Sequence, residues 1–321
     1  MKQYIIKRVL VLIPVFIGLS MILFALIHTA PGDPYAYMVE SGLPAEEKEL
    51  QLQKIGYYDP LPVKYIKWVG NVLQGNLGYS IRYAEPVTDV IGRRIGNTAL
   101  LSVTALAAST FLSIFLGILA AVKRRTFTDY ILSVLSLIGI SLPAFFLALA
   151  LIKWLSIDLK LLPVSGIETT GANYTGWARA VDIFRHMLLP LLVLTCTQTA
   201  SMVRYIRSAM LEVLGQDYIR TARAKGQANT IVIRLHAFRN TLIPITTLIA
   251  MSLGHLLSGT VLIETVFVWP GMGNLLYQAV SNRDYPLIVS GTLFLSICIL
   301  LANLLADILY GIIDPRIRYN S

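Results

Sequence analysis

Residues 217–244 read Asp-Tyr-Ile-Arg-Thr-Ala-Arg-Ala-Lys-Gly-Gln-Ala-Asn-Thr-Ile-Val-Ile-Arg-Leu-His-Ala-Phe-Arg-Asn-Thr-Leu-Ile-Pro, a basic segment punctuated by one glycine and set between two stretches apolar enough to enter a bilayer. Asp217 can accept from the unpaired N–H groups of a first helical turn, so it is expected to cap a helix beginning at Tyr218. Lys225 complements the negative end of that helix, and Gly226 can take the left-handed conformation that closes it. The helix should be about two turns long, with Thr221, Ala222 and Ala224 giving a slim surface that another protein's groove can approach closely. Beyond the glycine, Ile231, Leu235, Phe238 and Leu242 fall on one face of a second helix suited to the membrane boundary. A chain that only spans a bilayer has no use for such a loop, which reads as a docking surface for a soluble partner.

Working outward, the chain is 55% hydrophobic and 14% charged over 321 residues, against roughly 25% charged for a soluble domain. Its bulk solvent is therefore expected to be lipid. Uncharged stretches run over 9–32, 95–122, 130–152, 186–203, 240–263 and 285–306. Each approaches the roughly 20 apolar residues of a spanning helix, the fourth marginally. The expected fold is all-α and polytopic, with six transmembrane helices. A seventh stretch, 265–282, contains Trp269-Pro270-Gly271-Met272-Gly273 and is expected to break into an external re-entrant or interfacial segment.

Six spans put both termini on one side. The segments on that side carry 15 basic and 5 acidic residues, net +10, while the other side is net −1. This asymmetry places both termini in the cytoplasm. The apolar run of the first span is longer than a signal-peptide core, which favours an uncleaved anchor. The basic residues lie in short inter-helix loops where topology accounts for them, so no nucleic-acid binding is read from them. Cys196 and Cys298 fall inside spans without metal-ligand spacing and read as packing residues.

The expected organisation is an N-terminus with the first helix over 1–29, an external cap over 30–94, and a transmembrane core over 95–310. The core includes a cytoplasmic loop over 204–241 and an external segment over 264–284; a cytoplasmic tail follows over 311–321. Within the cap, Pro31-Gly32-Asp33-Pro34 ends the first helix, and short surface helices are expected over 44–56 and 63–73. Ser141-Leu142-Pro143 should kink the third span. The polar loop over 153–185 has no assigned task.

These motifs resemble the membrane subunits of ATP-binding-cassette importers, in particular the oligopeptide and dipeptide permeases. The resemblance rests on Pro31 to Pro34, Met210-Leu211-Glu212-Val213-Leu214, Asp217 to Gly226, Glu264-Thr265-Val266-Phe267 with Trp269 to Gly273, Arg283-Asp284-Tyr285-Pro286 and Asp314-Pro315-Arg316-Ile317-Arg318. Of the family's general Glu-Ala-Ala-x3-Gly-x9-Ile-x-Leu-Pro signature, Ala222 and Gly226 match, Arg220 and Thr221 depart, and His236, Phe238 and Arg239 replace the Ile, Leu and Pro. The Ala-Arg-Ala-Lys-Gly form is that of the peptide-transporting branch. The resemblance implies a type I importer fold and a coupling role for Asp217, Tyr218, Arg220, Thr221, Ala222, Ala224, Lys225 and Gly226. It implies two ATPase subunits that bind ATP and Mg, a second and related permease subunit, and an extracytoplasmic substrate-binding protein. This chain has no GxxxxGK[ST] phosphate loop, so it is expected to bind no cofactor and to hydrolyse nothing itself. The expected location is the cytoplasmic (inner) membrane of a prokaryote.

For the solute path, Ser252, His255 and Ser258 recur every three residues and either line a polar route or bond within the bundle. Gln198 either meets peptide amides or glues helices together. Glu264 either receives a peptide's positive terminus or pairs with Arg283. Asp307 reads as an inter-helix anchor. The resemblance implies dipeptides or oligopeptides as the substrate, with nickel, glutathione or small glycans as the alternatives within the same family. An ion-coupled transporter is the rival from another class, but it would need ionisable groups in mid-membrane, and here the acids sit at span ends.

Overall fold

The computed structural model describes residues 2–29, 47, 49, 50, 53, 57–255 and 260–313. The elements are α1 (Lys2–Thr29), α2 (Leu61–Leu73), the strands β1 (Tyr79–Ser80) and β2 (Glu85–Pro86), α3 (Val87–Val122), α4 (Phe127–Ser141) and α5 (Ala144–Leu151). A π-helical turn, Ile152–Asp158, prolongs α5. Then come α6 (Gly176–Leu214), α7 (Asp217–Ala224), α8 (Asn229–Ile231) with a π-helical segment Val232–Phe238, α9 (Arg239–His255), α10 (Val261–Val266), α11 (Met272–Ser281) and α12 (Tyr285–Ile313). The motif Pro31 to Pro34, the expected helix over 44–56, Ser258 and the motif at 314–318 involve positions outside the described residues.

A helix lies in each of the six uncharged stretches. By length and apolarity, among the described residues, α3, α6 and 285–308 of α12 can each cross a membrane, and α4 with α5 makes a fourth if the pair is one span. That pair bends by 100° where a kink was expected. Pro143 lacks an N–H and disfavours the α conformation at Leu142, which sits at ψ 123° as the C-cap of α4.

The bundle is built on α3 against α6, where small side chains let the backbones approach. Ser102, Ala105, Ser109 and Ser113 of α3 are all buried, and a Cβ at Gly117 would come within 2.8 Å of Ile206. Close contact through small residues is how helices associate when lipid removes the hydrophobic drive between them. Many large apolar side chains point outward instead, among them Leu10, Ile22, Phe111, Phe115, Val134 and Leu137. Such exposure suits a surface facing lipid or another subunit and would not suit a water-soluble domain.

Three apolar cores follow the bundle from end to end. One joins Val87, Val90 and Ile91 of α3 to α11 and α12. A middle core packs Leu101 and Ala105 on Ala148, Val193, Ile263, Phe267 and Trp269. The last gathers Ala121, Met210, Ile219, Ala222, Val232 and Ala237 at the end that carries α7. Outside the bundle, α2 leans on α1 through Tyr65, whose hydroxyl is 2.7 Å from Ser20 Oγ, and through Trp68 beside Phe24. Asp307 pairs with Arg8 at 3.1 Å, tying α12 to α1 as the anchor reading expected.

Candidate coupling surface and solute path

α7 starts one residue earlier than expected, because Gln216 occupies the cap position and makes no side-chain cap bond. Asp217 instead sits in the first turn, with its side chain 95% exposed and 3.4 Å from Arg220. It acts on the helix dipole from there and closes no orphan N–H. The other terminus is as expected. Gly226 lies at φ +76°, its N–H donates to Arg223 O at 3.0 Å, and the Gln227 N–H donates to Ala222 O at 3.3 Å. These are the two bonds of a Schellman closure.

The burial of α7 differs from the expected slim outer surface. Ile219 is fully buried and Ala222 is 7% exposed, both set in the core shared with Ala121 of α3, Met210 of α6 and the π-helical segment. Ala222 is therefore small because it faces inward. Tyr218, Arg220, Thr221, Arg223, Ala224 and Lys225 face outward. The helix thus has an apolar foot bolted to three elements and a basic outer face open to a partner.

The second helix also departs from a single 3.6-residue register. Ile231 and Leu235 are about half exposed and Leu242 is 37% exposed, as a boundary-facing stripe requires. Burial falls on Val232, Ala237 and Thr241. The π-helical stretch widens the turn, so inward positions recur at spacings that a regular helix would not produce. The Thr241 hydroxyl donates to Ala237 O at 2.8 Å, and Asn240 Nδ2 donates to His236 O at 2.7 Å, steadying the return to α9.

Among the path candidates, Gln198 accepts from Ser109 Oγ at 3.0 Å and so joins α6 to α3. The Ser252 hydroxyl donates back to Leu248 O at 2.8 Å. His255 is the last described residue of α9. The three-residue row of Ser252, His255 and Ser258 is thus only partly within the described residues.

Glu264 is not exposed at all. Its carboxylate accepts from Thr98 Oγ1 at 2.8 Å, from the Gly273 N–H at 2.7 Å and from the Asn274 N–H at 3.2 Å. The Met272 N–H donates in turn to Thr98 Oγ1 at 2.7 Å. Together these groups satisfy the first amides of α11, which a buried helix start otherwise leaves unpaired. Of the two alternatives for Glu264, the pair with Arg283 does not form among the described contacts, and the carboxylate meets backbone amides of its own chain. Gly271 and Gly273 have no side chains for a related reason: a Cβ at Gly271 would overlap the Glu264 carboxyl. Trp269, fully buried, donates its indole N–H to Asn97 O at 3.1 Å. The expected break near Trp269 to Gly273 is therefore a knot tying α10 and α11 onto α3.

One clamp was not singled out from the sequence. Asp129, at the start of α4, accepts from Arg207 Nε at 2.6 Å and Nη2 at 2.9 Å, and from the Arg125 N–H at 2.9 Å. The Arg207 guanidinium, with help from that N–H, holds the Asp129 carboxyl below the usual carboxylate range against the opposing effect of burial. The available signal was an acid standing just after the basic turn Lys123 to Arg125, in segments otherwise dominated by positive charge. The polar loop over 153–185 is likewise organised, since Asp182 accepts from the Thr169 N–H and hydroxyl at 2.7 and 2.8 Å and the Gly166 N–H donates to Phe267 O at 2.9 Å.

Comparison with known proteins places this architecture. The family model for the binding-protein-dependent transport system inner membrane component matches residues 113–319, and the model for the N-terminal part of such membrane components matches residues 1–103. The chain is 40% identical over 339 residues to the dipeptide transport system permease protein DppB of Escherichia coli K12, covering all of both chains. It is 39% identical over 320 residues to the oligopeptide transport system permease protein AppB of Bacillus subtilis, covering 99% of this chain and 100% of that one. The glutathione transport system permease protein GsiC of Escherichia coli O6:H1 is 38% identical over 319 residues, with 99% and 100% covered. The fold of this chain is similar to that of the inward-facing MetNI methionine ABC transporter, with a TM-score of 0.57 at 16% identity over 71% of this chain and 97% of that one. The chain belongs to the family of inner membrane components of binding-protein-dependent transport systems.

Proposed function

We propose that this chain is the pore-forming permease subunit of an ATP-driven importer that moves peptides across the cytoplasmic membrane, with both termini and α7 on the cytoplasmic side. The observation that carries the reading is the build of α7, with its apolar foot in the bundle and its basic face free. A push on such a helix reaches α3, α6 and the π-helical segment that leads into α9 with little slack, because packed interiors shift between discrete arrangements and resist smooth deformation. Asp217, Tyr218, Arg220, Thr221, Ala224, Lys225 and Gly226 would meet or shape the contact with an ATPase subunit, and Ala222 would seat the helix. ATP and Mg belong to two such partner subunits, while a related permease subunit and an external binding protein complete the importer. Peptide cargo is supported by the names of the DppB and AppB relatives, and glutathione, itself a small peptide, by that of GsiC.

The test is to purify the chain with its neighbouring subunits and reconstitute the complex in vesicles. Peptide uptake should require ATP and the binding protein. Accumulation driven by an ion gradient with no ATPase present would overturn the proposal in favour of an ion-coupled transporter.

A further inference from the structure

A groove of about 820 Å³ opens beside α7, walled by Tyr205, Ser208 and Glu212 of α6, by Gln216 and Tyr218 at the start of α7, and by Asn240 of α9. Its polar side belongs to a longer stripe. Ser201, Arg204 with Tyr205, Ser208 and Glu212 follow one another at helical spacing on one face of α6, and all are exposed. With 39 residues, α6 is about 58 Å long, well beyond the roughly 30 Å of a bilayer core. The stripe therefore runs off the end of the span toward α7. A face meeting lipid would be apolar, so this one meets water, solute or protein.

Charge favours an occupant that brings a positive group. Among the described residues, Glu212 makes no side-chain hydrogen bond or ion pair, and it is the only acid lining the groove. Glu212 lines the groove together with Tyr205 and Tyr218, whose aromatic faces can also attract a cation.

We propose that this groove is the cytoplasmic exit of the solute path and that Glu212 receives the ammonium group of the departing peptide. The proposal rests on the import reading above. Because Tyr218 stands on α7, the exit wall would move with the coupling helix, linking release to the nucleotide state.

The experiment uses the complete importer in inside-out vesicles, with Cys196→Ser and Cys298→Ser as background and Ser208→Cys as the reporter. Cationic and anionic methanethiosulfonate reagents are applied at rest, during turnover with a dipeptide, and after vanadate trapping. At rest the cationic reagent should react faster by about fivefold from a single nearby charge. Glu212→Gln should remove that preference and Glu212→Asp should retain it, while saturating dipeptide and vanadate should each slow labelling. A preference indifferent to Glu212, a rate equal in all three states, or a reporter shielded at rest by an assembled subunit would overturn the exit assignment. Peptide-stimulated ATPase activity of the same complex reports on the import reading separately, so a normal ATPase with failed labelling sinks only the exit.

Discussion

Replacing Gly226 with valine places a β-branched side chain at φ +76°, where the backbone strain is intrinsic and no neighbour is to blame. A Cβ there would meet nothing within 4 Å, so any effect of the substitution comes from conformation alone. The left-handed region costs an ordinary residue about 1–2 kcal/mol, and a β-branched one stands at the upper end or beyond. Escape from that strain breaks the Schellman bonds from Gly226 to Arg223 and from Gln227 to Ala222. An eight-residue helix has no reserve, since isolated helices of this length are marginal. A penalty of about 2 kcal/mol would raise the population with an open α7 end roughly thirtyfold. Hydrogen exchange of the amides over 221–227 in the assembled complex should speed up by that factor, with membrane insertion unaltered. Uptake should fall to near background. Gly226→Asn, which tolerates the left-handed region, should keep most of both properties. Exchange and uptake of Gly226→Val equal to wild type would refute the reasoning.

Other consequences are as concrete. Glu264→Gln places an amide donor against the donors of Thr98, Gly273 and Asn274 and should cost about 1–3 kcal/mol of stability; a lowered melting temperature with unchanged peptide preference is expected, and a changed preference at unchanged stability would restore the solute-contact role. Asp129→Asn weakens an ion pair that is buried on the Asp129 side and partly open on the Arg207 side, and should cost about 1–3 kcal/mol. The pH test has a defined sign: the Asp129 carboxyl is depressed in the folded state, so its contribution is complete above the unfolded-chain value of about 3.9 and is lost as pH falls through the lower folded value. Wild type should therefore lose stability more steeply than Asp129→Asn below about pH 4, and parallel melting curves would contradict the clamp. Ile219→Ala empties the foot of α7 at about 2–4 kcal/mol; ATPase activity that runs without peptide uptake is the expected signature, and fully coupled transport would count against force passing through that contact.

What the sequence by itself determined were the features that depend on local backbone chemistry. The stop at Gly226, the break at Pro143 and the interruption around Pro270 and Gly271 each follow from residues whose allowed φ and ψ or missing N–H act within a few positions. The uncharged stretches marked the helices in the same way, since solvation by lipid is read one segment at a time. Tertiary structure alone decided which face of each helix turned inward. Ala222 looked like outer surface until Ala121, Met210 and Val232 filled the space beneath it, and the register of the return helix changed only because a π-helical turn let Val232 and Ala237 share that core. Glu264 found its partners on Thr98 and on the amides of α11, and Asp129 met Arg207 78 residues away. A buried carboxylate must be neutralised or hydrogen-bonded, but many donors in the chain would satisfy it, and only the packing of α3, α6 and α10 chose among them.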